Sequence, residues 1–88
     1  ETMAAIDAEL SRALREHPED TVDLIIHVTG DLGERIQALE KRGVEVRRRF
    51  RLTGAIGIRC TGKTALSLAR SSWVTKIEPD GPVRALGR

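Results

Sequence analysis

Apolar positions recur along the chain with two different periods, and the switches between them mark the elements. Over residues 3–16, Met3, Ile6, Leu10 and Leu14 fall on one side of a helix that Thr2 can cap. His17-Pro18-Glu19-Asp20 ends it, because the residue before a proline avoids helical angles. From Val22 to Thr29 the period becomes two. Val22, Leu24, Ile26 and Val28 point one way, and Asp23, Ile25, His27 and Thr29 the other. Gly30 breaks that strand. Asp31 opens a second helix with Glu34 at the capping-box position, and Leu32, Ile36 and Leu39 form its apolar stripe. Gly43 stands where a left-handed helix terminator belongs.

Val44 to Leu52 alternates again, with Val44, Val46, Phe50 and Leu52 on one face and Glu45, Arg47, Arg49 and Arg51 on the other. Arg48 lands on the apolar face and breaks the pattern. A bulge, or an edge position from which a long side chain reaches water, accounts for it. Thr53-Gly54 reads as a hairpin turn. In the strand Ala55 to Cys60, Ile56, Ile58 and Cys60 point inward and Ala55, Gly57 and Arg59 outward. A short helix at about 63–70 carries Ala65, Leu66, Leu68 and Ala69, and Ser71-Ser72 ends it. Trp73 to Glu78 is the last strand, and Pro79, Gly81 and Pro82 stop further regular structure.

The order is a helix followed by β-α-β-β-α-β, an α+β, ferredoxin-like arrangement. It predicts a four-stranded antiparallel sheet with two helices on one face, plus the extra N-terminal helix. The other face is open, with Ile25, Ala55 and Gly57 on it. A face with so little side-chain bulk is a surface on which a partner docks. The expected organisation is an N-terminal helix and linker over 1–20, the main domain over 21–80 and an extended tail over 81–88.

Composition narrows the function classes. With 88 residues the chain is one domain, with one core and little room for a deep catalytic cleft. Phe50 and Trp73 are the only aromatic residues, so the core is built from Leu, Ile, Val and Ala. The net charge of +2 is a weak argument for nucleic acid. Cys60 is the only cysteine, which excludes an intrachain disulfide and a multi-cysteine metal site. No apolar run reaches membrane-spanning length, and the polar, acidic first residues do not read as a signal peptide. The absence of an initial Met fits a fragment or a processed product.

Specific segments carry a resemblance over about residues 21–86. They are Val22-Asp23-Leu24-Ile25-Ile26-His27-Val28, then Gly43 before the second strand, then Arg49-Phe50-Arg51 ahead of Gly54-Ala55-Ile56-Gly57-Ile58. The last and most telling is Trp73-Val74-Thr75-Lys76-Ile77-Glu78-Pro79-Asp80. In this ordered set the chain resembles the propeptide family of subtilisin-like serine proteases, which also contains free-standing inhibitors. The resemblance implies a non-enzymatic inhibitor, with a further role as an intramolecular chaperone, that meets its protease in cis or in trans and needs no cofactor or metal.

The resemblance further implies docking by the open sheet face, with Ile25, His27, Ala55 and Gly57 on it. Carboxylates matching Glu78 and Asp80 would cap the N-termini of two protease helices, which are natural anion sites. The tail would cross the active-site cleft as a product-like strand. Leu86 would fill the main specificity pocket, preceded by Ala85, Arg84 and Val83, with Val83 in the hydrophobic pocket three residues upstream. Gly87 and Arg88 run past the expected end. They fit an uncut precursor segment, a longer free-standing tail or a shifted register. The N-terminal helix lies outside the shared part, as a cover for the core's edge or a separate element. An extracellular location follows for a piece of a secreted zymogen, and a cytoplasmic one for a free-standing inhibitor.

Other readings compete. Gly57-Ile58-Arg59-Cys60-Thr61-Gly62-Lys63-Thr64 fits the P-loop pattern, yet Gly57 falls inside a strand and a parallel nucleotide-binding sheet needs a longer chain. Arg47, Arg48, Arg49 and Arg51 form a basic strand that could meet phosphates. With Phe50 expected in the core, no aromatic is placed to stack bases, and a charged edge strand that resists aggregation explains it better. Nucleic acid is therefore not an expected partner, nor is a membrane. His27 reads as an ordinary surface histidine or a pH-sensitive interface group. Cys60 reads as a small buried hydrophobe, and Trp73 as a side chain packed under the sheet edge. Glu78-Pro79-Asp80-Gly81 is also good turn chemistry. The alternative to protease inhibition is a non-catalytic ferredoxin-like module that binds another protein or RNA.

Overall fold

A computed structural model describes residues 4–80. In chain order these form β1 (Ala5–Ile6), α1 (Ala8–Glu16), β2 (Thr21–Val28), α2 (Leu32–Lys41), β3 (Glu45–Phe50), β4 (Ala55–Thr61), α3 (Gly62–Leu68) and β5 (Val74–Pro79). The fold is α+β, and its sheet runs β1-β5-β2-β4-β3. It is five-stranded and mixed, which corrects the expected four-stranded antiparallel sheet. β2, β3, β4 and β5 pair antiparallel, while β1 adds a two-residue parallel pairing to β5, Ala5 with Lys76 and Ile6 with Ile77.

That edge strand also corrects the expected start of the first helix. The helix begins at Ala8 because Asp7 caps it, its Oδ2 accepting from the Glu9 N–H at 3.0 Å and the Leu10 N–H at 3.2 Å. Thr2 and Met3, expected in its first turn, lie outside the described residues. Ile6 leaves the helical stripe and aligns with Ile77, which is buried in the core. The Ala4 N–H donates to the Ala69 carbonyl and ties this segment to the end of α3. Ala4, Leu10 and Leu14 belong to the same core as the sheet, so α1 is part of the helical layer.

Three helices among the described residues pack on one side of the sheet. Leu24 and Ile26 of β2, Ile56 and Ile58 of β4 and Ile77 of β5 meet Leu14 of α1, Leu39 of α2 and Leu68 of α3, all nearly fully buried. The inward positions read from the period-two pattern in β2 and β4 are thus the core positions. The second helix has the expected ends. Asp31 Oδ2 accepts from the Glu34 N–H at 2.9 Å, and Gly43 has φ +85°, the left-handed conformation of a terminator. Gly62 fits α3 against α1: a Cβ there would lie 2.9 Å from the carbonyl oxygens of both Leu14 and His17.

The irregularity at Arg48 is a bulge, and β3 is an edge strand. Val46 pairs with Ile58, but Arg48 pairs with Gly57, so one residue of β3 is extra. An extra residue inverts the alternation beyond it. Arg48 and Phe50 therefore share the face of Gly57 and Ala55, while Arg49 shares that of Ile56. This corrects the expected core position of Phe50 and the expected common face for Arg47, Arg49 and Arg51. The strand also ends at Phe50, and Leu52 stands fully exposed in the following turn instead of on an apolar face.

Candidate functional site

The face opposite the helices is built from alternate residues of four strands. β2 contributes Asp23, Ile25 and His27, and β4 contributes Ala55, Gly57 and Arg59. Lys76 and Glu78 of β5 pair with His27 and Ile25, and Glu45, Arg48 and Phe50 of β3 pair with Arg59, Gly57 and Ala55. The sequence-predicted docking residues Ile25, His27, Ala55 and Gly57 are thus brought together. Ile25 and His27 are half-buried, whereas Ala55 and Gly57 are buried. The Arg48 side chain lies over Gly57, 3.3 Å from where a Cβ would stand.

Three side-chain pairs cross this face. His27 Nε2 lies 2.6 Å from Glu78 Oε2 and donates to it. The hydrogen bond from His27 holds the Glu78 carboxyl below its ordinary value, burial opposes it, and Lys76 adds a smaller pull. Arg59 Nε and Nη2 donate to the two oxygens of Asp23 at 2.8 and 3.2 Å. That hydrogen bond lowers the Asp23 pKa and raises that of Arg59. Arg48 Nη2 donates to both oxygens of Asp80, and its guanidinium carbon sits 5.3 Å from the centre of the Phe50 ring. Glu78 and Asp80, the expected protease-contact carboxylates, therefore both have partners within the chain.

Charges of both signs meet here. Arg48, Arg59 and Lys76 face Asp23, Glu45, Glu78 and Asp80, so the anionic groups outnumber the permanent cations. The rest of the basic strand is dispersed: Arg47 pairs with Glu45 at 2.8 Å, and Arg49 and Arg51 line a groove against Leu32, Ile36 and Glu40 of α2. No single phosphate-binding stripe results.

The P-loop-like segment is no phosphate cradle. Gly57 lies within β4, and the first amides of α3 are already bonded. The Gly62 N–H donates to the Asp20 carbonyl at 3.0 Å, that of Lys63 to Pro18 at 2.9 Å, and that of Thr64 to Thr61 Oγ1 at 3.3 Å. Burial pushes the Cys60 thiol up to about 11, so it is protonated at neutral pH and unsuited to nucleophilic attack. Among the described residues no cluster of His, Cys, Asp and Glu could hold a metal ion, and no helix is long and apolar enough to cross a membrane.

Sequence reasoning missed Arg48 and Phe50 as members of this face. The signal is the break in alternation at Arg48, which fits a bulge or an edge position; only a bulge carries a phase change on to Phe50. The inhibitory-tail residues Val83, Arg84, Ala85 and Leu86 lie outside the described residues. Comparison of the sequence with protein-family models and with curated proteins returned no match.

Proposed function

We propose that this chain inhibits a subtilisin-like serine protease, and assists its folding, by docking its open sheet face on the enzyme. The observation that carries the reading is the delivery of two carboxylates. β5 places Glu78 on the helix-free face, and Asp80 follows it there immediately before residues 81–88. The antiparallel order β5-β2-β4-β3 within the five-stranded sheet, with β1 at one edge, supports the reading.

The mechanism is recognition and not catalysis. Glu78 and Asp80 exchange His27 and Arg48 for the unpaired N–H groups and partial positive charge of protease helix N-termini. Ile25 and the small floor at Gly57 and Ala55 allow close approach. Residues 81–88 then enter the cleft and pair as a strand, with Leu86 and Val83 in apolar pockets. The first test is titration against subtilisin while following hydrolysis of a chromogenic peptide. The expected result is saturable inhibition that is largely lost on truncation after Asp80, with the circular dichroism spectrum retained. Inhibition that survives truncation rules out the tail's role. No inhibition at high micromolar concentration by a folded chain rules out docking on that enzyme.

One observation favours a second reading, an RNA-binding module. Phe50 lies on the open face next to Arg48, where an aromatic ring can stack a base. The acidic excess on that face opposes it. A salt-dependent gel shift with single-stranded RNA, abolished by Phe50→Ala, would favour this reading over the first.

A further inference from the structure

The bulge in β3 turns Arg48 onto the face where β5 delivers Asp80. Three contacts then hold the side chain. It lies against Gly57, where a Cβ would come within 3.3 Å of Arg48 Cβ and 3.4 Å of its Nε. Its guanidinium stands 5.3 Å from the Phe50 ring centre. Its Nη2 takes both oxygens of Asp80. Arg48 thus reaches from the edge strand over β4 to the residue that precedes the tail. A glycine in the middle of a strand weakens it unless something approaches closely, and here the approaching group is Arg48.

We propose that Arg48 is an autoinhibitory latch, which occupies the Gly57 floor and the Asp80 carboxylate until a partner displaces it. The inference rests on the docking reading above. A protease helix N-terminus and the Arg48 guanidinium are rival donors for one carboxylate, so docking through Asp80 opens the latch. Opening does not unpin the chain, because the Asp80 N–H donates separately to the Asp23 carbonyl at 3.1 Å. His27 and Glu78 differ: they sit on the adjacent strands β2 and β5, and their contact does not span β4. The Arg48 and Asp80 side chains are about half and a quarter exposed, so the latch is a weak one that a partner can displace.

The test has two arms. In the free chain, the Arg48 side-chain N–H resonance is followed by NMR in wild type, Asp80→Asn and Gly57→Ala. The expected wild-type signal is shifted by the Phe50 ring, and both variants return it towards free arginine. A wild-type signal already at the free-arginine position overturns the latch. In the second arm, wild type, Arg48→Ala and Arg48→Lys are titrated against subtilisin. Removing a partly exposed ion pair from the free state should tighten inhibition by Arg48→Ala roughly two- to fivefold, with Arg48→Lys between it and wild type. Equal or weaker inhibition by a folded Arg48→Ala overturns the proposal. If none of the three inhibits while the NMR signature is intact, the docking reading has failed and the latch has nothing to regulate, although its contact is real.

Discussion

Gly62→Ala isolates the packing of α3 on α1. The added methyl would stand 2.9 Å from two carbonyl oxygens, those of Leu14 and His17, and 3.3 Å from Pro18 Cα. All three are backbone atoms and cannot rotate aside, so α1 and α3 must separate. The same shift strains the bonds from the Gly62 and Lys63 N–H groups to Asp20 and Pro18. Overpacking of this kind costs about 1–3 kcal/mol. Alanine in place of glycine in a helix returns about 0.5–1 kcal/mol, so the net expectation is a loss of about 0.5–2 kcal/mol. For a chain of 88 residues, each 1 kcal/mol lowers the melting temperature by roughly 4–8 °C. Urea unfolding followed by circular dichroism reads it as a lower midpoint with an unchanged slope. Gly33→Ala is the control. That helical glycine is exposed and its Cβ would meet only the Asp31 carboxylate, at 3.2 Å, a side-chain group that can give way as the backbone oxygens at Gly62 cannot, so its midpoint falls less than that of Gly62→Ala. If Gly62→Ala matches or exceeds wild type, the close approach of the two helices is refuted. A loss of ATP binding without a loss of stability would instead revive the P-loop reading.

Three further outcomes are expected. Replacing Glu78 and Asp80 together by Ala should weaken subtilisin inhibition roughly three- to thirtyfold, since carboxylates at helix N-termini each contribute about 0.3–1 kcal/mol; unchanged affinity would remove the capping argument. Acid should destabilise the fold. Asp23 and Glu78 have folded pKa values below their ordinary 3.8 and 4.5, so the unfolded chain binds more protons as pH falls below about 4.5. Their stabilisation is whole above that pH and is lost as pH passes down through the folded values. The urea midpoint should fall between pH 6 and pH 3, and less steeply in Asp23→Asn; an equal fall in that variant refutes the Arg59 pairing. Cys60, 8% exposed and with its thiol near 11, should react with iodoacetamide at pH 7.5 far more slowly than after unfolding; equal rates would show that β4 does not shield it.

Local chemistry made much of this protein legible in its sequence. Period-two alternation placed Leu24, Ile26, Ile56 and Ile58 in the core, because adjacent residues of a strand must face opposite ways. Asp31 and Gly43 bounded α2 through backbone needs that few residues meet. The group at Ile25, His27, Ala55 and Gly57 was also legible as one face, since facing follows from the same alternation, whereas Glu78 joins that face only through the pairing of β5 with β2.

Tertiary structure decided the rest. Ala5-Ile6 has too few residues to show a period, and becomes a strand only because β5 offers a free edge and Asp7 caps the helix after it. Whether Arg48 marked a mere edge position or a bulge depended on its pairing across to Gly57, and that pairing turned Phe50 away from the core. The partners of Asp23, Glu78 and Asp80 lie tens of residues away along the chain, at Arg59, His27 and Arg48. Propensity and periodicity act over a few neighbouring residues. The contacts that occupy the candidate docking face form only when distant strands are brought side by side, so no local pattern announces them.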